Sequence, residues 1–450
     1  MTDTRDLVTL DRRHFWHPFT QMSSWIEDED VVVIESGKGC WLVDTEGRRY
    51  LDGVSSLWCN LHGHRVEAID DAVRDQLDRI AHSTTLGLTS VPAARLAGRL
   101  ASIAPPGLGR IFYSDSGATA VEAALKIAFQ YHAQTGAGSR TRFAALGSAY
   151  HGDTVGSVSL GGIESMHGMF APLRFEVVRI PTPDCLRCPL GLERASCALG
   201  CADEAVRILE EHAPQLAGLV VEPLVQGAAG MIVQPGGYLS RLAAACGRLG
   251  ILLVADEVAT GFGRTGTLFA CTQEDVRPDL MCLAKGLTGG YLPVAATLAT
   301  EEIFSAFLGT PASGRAFLHG HTYTGNPLGC AAALASLDLL EPMLETLPAR
   351  AERFGALLDP LADLEHVVEI RRRGFMVGIE VMQDPASRTP YPPERRTGHR
   401  IIREARSRGV IIRPLGDVVV LNPPLSISDE EMELLVRVTG ESIAAVTEER

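Results

Sequence analysis

The chain has 450 residues, with 41 Lys and Arg against 55 Asp and Glu for a formal net charge of −14, 46% hydrophobic and 21% charged residues, 45 Gly, 25 Pro, 13 His and 10 Cys. That length suits two or three domains, or one large domain with a smaller companion, and needs no disulfide staples to bury a core. The acidic balance argues against a general nucleic-acid binder, whose phosphate affinity requires clustered Lys and Arg, and the composition excludes collagen, disorder and coiled coil.

Residues 1–13 contain no apolar stretch of signal-peptide length, and the apolar runs at 251–255 and Val418–Leu421 are far too short to span a bilayer. The expectation is a cytoplasmic chain with reduced thiols and neither a membrane nor a nucleic-acid partner. Residues 39–51 alternate in the manner of strands around Thr45-Glu46-Gly47, which predicts a hairpin. From about Gln76 to Leu298 a short apolar run, a Gly-rich or polar turn and a helical stretch recur. Strands are predicted at Arg110–Ser114, Arg142–Leu146, Leu216–Val221, 251–254, 279–284 and 294–299, with a helix over 119–132. Apolar runs without alternation suit strands covered on both faces, as in a parallel sheet. After Pro327, helices are predicted at 329–340 and Leu347–Leu358. Strands follow at 377–381 and Val418–Leu421, separated by a Pro- and Arg-rich loop at 384–396. The fold class is therefore α/β: a mostly parallel central sheet covered by helices over 76–328, with a smaller α+β domain formed from both chain ends, 1–75 and 329–450.

Open α/β sheets bind ligands outside the carboxyl ends of their strands, and three such ends carry reactive groups. Ser114-Asp115-Ser116-Gly117-Ala118-Thr119 runs into a helix whose first N–H groups and dipole would hold a phosphate, though a packing turn reads the same way. Asp256 ends the run Ile251-Leu252-Leu253-Val254-Ala255, where a poorly solvated acid wants a cationic partner; a helix cap or salt bridge is the plain alternative. Lys285 ends Asp279-Leu280-Met281-Cys282-Leu283-Ala284 and precedes a glycine loop. Desolvation there lowers an amine's pKa and frees it for Schiff-base chemistry, whereas a lysine snorkelling to solvent is the alternative. A phosphate cup, an acid and an amine at one sheet edge are what pyridoxal 5′-phosphate requires.

Three further motifs compete for attention. Gly261-Phe262-Gly263-Arg264-Thr265-Gly266 matches G-x-G-x-x-G, but its strand ends at Asp256 and Thr267-Leu268-Phe269-Ala270 opens a helix poorly, so dinucleotide binding is a minor alternative. His62-Gly63-His64 and His319-Gly320-His321 lack the spacing that puts two imidazoles on one helical face and read as loop or core histidines. Cys185, Cys188, Cys197 and Cys201 could close a tetrahedral zinc site, pair as disulfides or stay free; the reduced-thiol default outweighs the metal, and no metal is expected.

Residues 253–266 followed by 278–290 resemble the signature of class III, fold-type I pyridoxal-phosphate aminotransferases, and the resemblance extends over nearly the whole chain. Within the class, His14-Phe15-Trp16-His17-Pro18-Phe19-Thr20-Gln21, residues 52–56 and residues 319–327 resemble the branch that aminates 8-amino-7-oxononanoate in biotin biosynthesis. That resemblance makes Lys285 the Schiff-base lysine and proton shuttle, Asp256 the partner of the ring nitrogen and Tyr150 the ring stacked on the cofactor, with Asp153 in support. It gives the phosphate to the backbone of Gly117 and Ala118, completed by His321 and Thr322 from the second subunit of a homodimer. Arg413 becomes the clamp on the substrate carboxylate, and Phe19, Leu57, Trp58 and Gly320 line the substrate channel. Members that use S-adenosylmethionine commonly have Tyr at the position of Phe19, Trp at Leu57, Pro at His321, Tyr near Val420 and Ser at Ala118. Phe19, Leu57 and His321 are closer to the lysine-using branch. S-adenosylmethionine is the expected donor with lysine next, and an ω-amine or ω-amino acid:pyruvate aminotransferase is the nearest other activity.

Overall fold

The computed structural model describes residues 3–28 and 30–448; residues 1, 2, 29, 449 and 450, which fall within the terminal segments expected to build the smaller domain, lie outside the described residues. The predicted hairpin forms as β2 (Trp41–Asp44) and β3 (Arg49–Asp52), with Trp41 opposite Leu51, and β1 (Ile34–Lys38) adds antiparallel to β2.

The central sheet is built from β4 (Arg110–Ser114), β5 (Arg142–Leu146), β6 (Val177–Ile180), β7 (Leu216–Val221), β10 (Leu252–Asp256), β11 (Leu280–Leu283) and β12 (Ala295–Ala299). A two-stranded ribbon, β8 (Val225–Gln226) and β9 (Ile232–Val233), follows β7. The order across the sheet is β4-β12-β11-β10-β7-β5-β6, and only β12 runs against its neighbours. Every residue of β7, β10, β11 and β12 is buried. A strand covered on both faces has no polar side to alternate with, which is why these runs read as continuously apolar. The helix Gly117–Gln134 buries Ala120, Val121, Ala123, Ala124, Ile127 and Ala128 toward the sheet. Most of that face is alanine, so the helix backbone approaches closely.

The chain ends meet through strand pairing. β15 (Val410–Ile411) lies parallel to β3, with Val410 opposite Leu51, and so joins the N-terminal sheet. β13 (Val367–Arg373), β14 (Met376–Val381), β16 (Arg413–Leu415) and β17 (Val418–Leu421) make a second antiparallel sheet in the order β13-β14-β17-β16. This is the fold-type I architecture, with the smaller α+β domain assembled from both chain ends.

Among the elements that escaped the sequence pattern, four show why. β6 is interrupted by Arg179, whose guanidinium caps the carbonyls of Ser159, Leu160 and Gly161. β13 carries Glu369 and three arginines in a half-exposed run. The helices Thr397–Ser407 and Asp429–Thr447 begin next to the Arg-rich loop and in an acidic stretch, so their apolar faces are diluted by charge. No single described helix is long and apolar enough to cross a membrane.

Candidate active site

The carboxyl ends of β4, β5, β7, β10 and β11 open onto one cavity of about 700 Å³, and Trp58, Gly117, Ala118, Tyr150, Asp256 and Lys285 all line it. Lys285 follows β11 directly. Its backbone sits at φ +44, a left-handed conformation unusual for a side-chain-bearing residue, of the kind that concentrates at functional sites. Burial pushes its ammonium below the usual lysine range, while the carboxylates of Asp256 and Glu222 pull the other way. Its Nζ stands 5.3 Å from the centre of the Trp58 ring. Trp58 is itself held at φ +63 in a segment where Ser55 and Ser56 also have positive φ, and its indole N–H is buried without a partner.

Asp256 is 4% exposed. Its Oδ1 accepts from the Val258 N–H at 3.1 Å, and its Oδ2 lies 2.6 Å from His151 Nδ1. His151 Nε2 is buried and unpaired. Glu222 ends β7 as Asp256 ends β10, and accepts from the N–H groups of Tyr150 at 3.1 Å and Gly227 at 3.0 Å. Burial pushes its carboxyl up to about 7; His151 opposes that shift and Asp256 adds to it. Tyr150 donates its hydroxyl to Asp153 Oδ2 at 2.8 Å, which fixes the plane of its ring.

At the far end of the cavity the helix Gly117–Gln134 begins with a capping box between Ser116 and Thr119. The box ties the N–H of Thr119 and leaves those of Gly117 and Ala118 as first-turn donors free for an anion. Two glycines make the cup possible. A Cβ on Gly117 would stand 2.6 Å from Val258, and one on Gly152, which has φ +119, would stand 2.4 Å from the Cβ of Ala118.

The remaining expected site residues lie off this cavity within the single chain. Arg413 leads β16, half-buried, and no carboxylate pairs with it among the described residues; burial lowers its pKa. Phe19, at φ +50, and Leu57 are 59% and 45% exposed. Gly320, His321 and Thr322 occupy a turn in which His321 Nδ1 stands 3.5 Å from Asp115. The other motifs are structural. His62 is buried and bonded to Ser336 Oγ at 3.0 Å, with burial lowering its pKa to about 4. The glycine-rich segment 261–266 folds as turns around Arg264, which is 1% exposed and donates to the carbonyls of Asn60 and Pro423.

Sequence reasoning missed His151 and Glu222. Glu222 had a visible signal, since it is an acid placed after an unbroken apolar strand exactly like Asp256 in kind. His151 had none, because only the fold brings it to Asp256.

These groups fit pyridoxal 5′-phosphate. A desolvated amine, a buried carboxylate, an aromatic plate and a helix N-terminus widened by two obligatory glycines surround one cavity. A family model described as aminotransferase class-III matches residues 24–440. The adenosylmethionine-8-amino-7-oxononanoate aminotransferase of Nitratidesulfovibrio vulgaris is 60% identical over 449 residues, spanning 99% of this chain and 83% of that protein. The crystal structure of the enzyme of the same name from Methanocaldococcus jannaschii superimposes with a TM-score of 0.94 at 42% identity, covering 99% of this chain and 100% of that one. A thermostable (S)-enantioselective omega-transaminase from Thermomicrobium roseum gives 0.92 at 36% identity, covering 99% of each.

Proposed function

The chain belongs to the class-III aminotransferase family, and on that premise we propose that it aminates the ketone of 8-amino-7-oxononanoate to 7,8-diaminononanoate in biotin biosynthesis. The amino donor in this reading is S-adenosylmethionine, with lysine next. The observation that carries the substrate is 60% identity sustained over 99% of the chain to a relative of that activity, against 36% for the omega-transaminase. The convergence of Lys285, Asp256 and the Gly117 helix on one cavity carries the reaction type.

Pyridoxal 5′-phosphate, when bound, supplies the electron sink that acidifies the C–H bond of the donor carbon. Lys285, Asp256, Tyr150 and the N–H groups of Gly117 and Ala118 would hold it. Lys285 is the one amine lining the cavity, and its lowered pKa leaves Nζ able to take a proton from the donor carbon and return one to the acceptor carbon. Asp256, held by the Val258 N–H and by His151 Nδ1, would be the carboxylate that pairs with the ring nitrogen of the bound group. Trp58 forms one wall beside Nζ, its ring centre 5.3 Å away.

The chain acts as a homodimer in this reading, located in the cytoplasm. Leu86 and Leu318 are each more than four-fifths exposed, and Leu318 flanks the turn carrying Gly320, His321 and Thr322. Covering such side chains with a second copy would deliver that turn to the neighbour's phosphate. Phe19 and Leu57 would then line the substrate channel beside Trp58.

Arg413 is a half-buried guanidinium without a counter-ion among the described residues, a site that wants an anion. Arg413→Ala is expected to raise KM for 8-amino-7-oxononanoate by roughly 10- to 100-fold, the equivalent of a lost charged hydrogen bond of about 1.5–3 kcal/mol, with kcat little changed. Steady-state kinetics on the keto substrate read this; an unchanged KM would remove Arg413 from the carboxylate site. The assignment itself is tested by supplying 8-amino-7-oxononanoate with S-adenosylmethionine or lysine in parallel and measuring diaminononanoate. Product from either supports it, and turnover of ω-amines with pyruvate but no diaminononanoate hands the chain to the omega-transaminase activity.

A further inference from the structure

Residues 181–199, which leave the end of the edge strand β6, contain neither helix nor strand. Connections longer than about 12–15 residues without regular structure are uncommon in a compact domain, so something other than backbone pairing must order this one. Its internal backbone bonds are isolated turns, among them Gly191 N–H to Cys188 O, Ser196 N–H to Glu193 O and Gly200 N–H to Cys197 O. Side-chain anchors from outside hold its first part: Tyr238 donates to the Pro181 carbonyl at 3.0 Å, the Ser148 N–H to Thr182 Oγ1 at 2.8 Å and Arg388 to the Leu186 carbonyl at 2.9 Å, and Arg187 pairs with Glu380 of β14. The rest of the segment gathers around its cysteines. Cys185, Cys188, Cys197 and Cys201 all line a single small void of about 20 Å³.

We propose that Cys185, Cys188, Cys197 and Cys201 together bind one thiophilic divalent cation of the zinc class, as a structural centre that orders this segment and holds Arg187 against Glu380. The void has the volume of about one water-sized sphere, enough for one ion with its ligands drawn in. No three His, Cys, Asp or Glu among the described residues stand as an already formed ligand set. The four cysteines line the void together with Arg194 and Asp184, and the segment must contract for sulfur to reach the roughly 2.3 Å of a zinc–thiolate bond. A segment with no helix or strand to break can make that movement.

Four thiolates are the donor set that a borderline-soft divalent cation of the zinc class takes. Four protein ligands would leave no open position for a substrate, which makes the centre structural. Its failure would leave the aminotransferase reading untouched, because none of the four cysteines lines the cavity of Lys285.

The test is elemental analysis of the purified holoenzyme, followed by exchange of the bound metal for Co²⁺. The expected result is about one zinc per chain surviving gel filtration, and, after exchange, sulfur-to-cobalt charge-transfer absorption with tetrahedral d–d bands. Cys188→Ser and Cys197→Ser should each lower the metal content about tenfold or more while pyridoxal absorbance is retained. If a variant fails to fold, thiol alkylation of the wild-type holoenzyme decides: protection of the four cysteines that is lost on adding a zinc chelator supports the centre. Metal-free protein that gains no Co²⁺ spectrum, or mass spectrometry that finds the four paired as disulfides, overturns it.

Discussion

Lys285→Ala is expected to lower kcat by about 10⁴-fold or more, the largest effect of any single substitution in this chain. General acid–base catalysis alone contributes about 10²–10⁴-fold, and Lys285 also supplies the nucleophilic amine, so two functions disappear with one side chain. Neither has a substitute nearby, since Lys285 is the only lysine among the residues lining the cavity. Borohydride reduction should fix the cofactor to the wild-type chain and leave the variant unlabelled. Retention of the label in Lys285→Ala would place the reactive amine elsewhere. The fold should survive the change: a desolvated amine is removed from a position where burial already disfavours its charge. An unaltered thermal midpoint within a few degrees would separate a chemical loss from an unfolded chain.

Asp256→Asn should cost about 10²–10³-fold in kcat, or roughly 3–4 kcal/mol of transition-state stabilisation, by analogy with loss of a preorganised electrostatic partner. The substitution keeps the shape and an acceptor for the Val258 N–H, removes the charge and turns an amide NH2 toward His151 Nδ1. His151 cannot take over, because its Nδ1 is directed at Asp256 and not at the cavity's reacting end. Glu222 is poorly suited as well: burial pushes its carboxyl up to about 7, which disfavours the negative charge a ring-nitrogen partner has to carry. An Asp256→Asn enzyme within threefold of wild type would mean that the ring nitrogen finds its charge partner in another residue.

The central strands were legible because burial on both faces makes them apolar without interruption. β4, β5 and β7 occupy the predicted residues, and the helices Gly117–Gln134 and Leu347–Leu358 lie where apolar spacing placed them. β6 and β13 were not legible: Arg179 reaches the Ser159 carbonyl, and Arg371 and Arg373 of β13 reach the Gly230 carbonyl and Gln273 Oε1, partners remote in sequence. Asp256 and Lys285 could be singled out because charge at the end of an apolar run is locally anomalous. Glu222 carries the same mark and was overlooked. His151 carries no mark at all.

By itself, the sequence determined the alternation of buried strands and covering helices, the polar groups stranded at their carboxyl ends, and the four closely spaced cysteines. These are local properties, set by whether each side chain tolerates burial. The tertiary structure alone decided that the five strand ends share one cavity, that His151 meets Asp256 at 2.6 Å, that Val410 pairs with Leu51 to join the chain ends, and that the four cysteines line one void. Each of those contacts links segments whose composition is ordinary when taken alone, so only the packing of the sheet and its helices could bring them together.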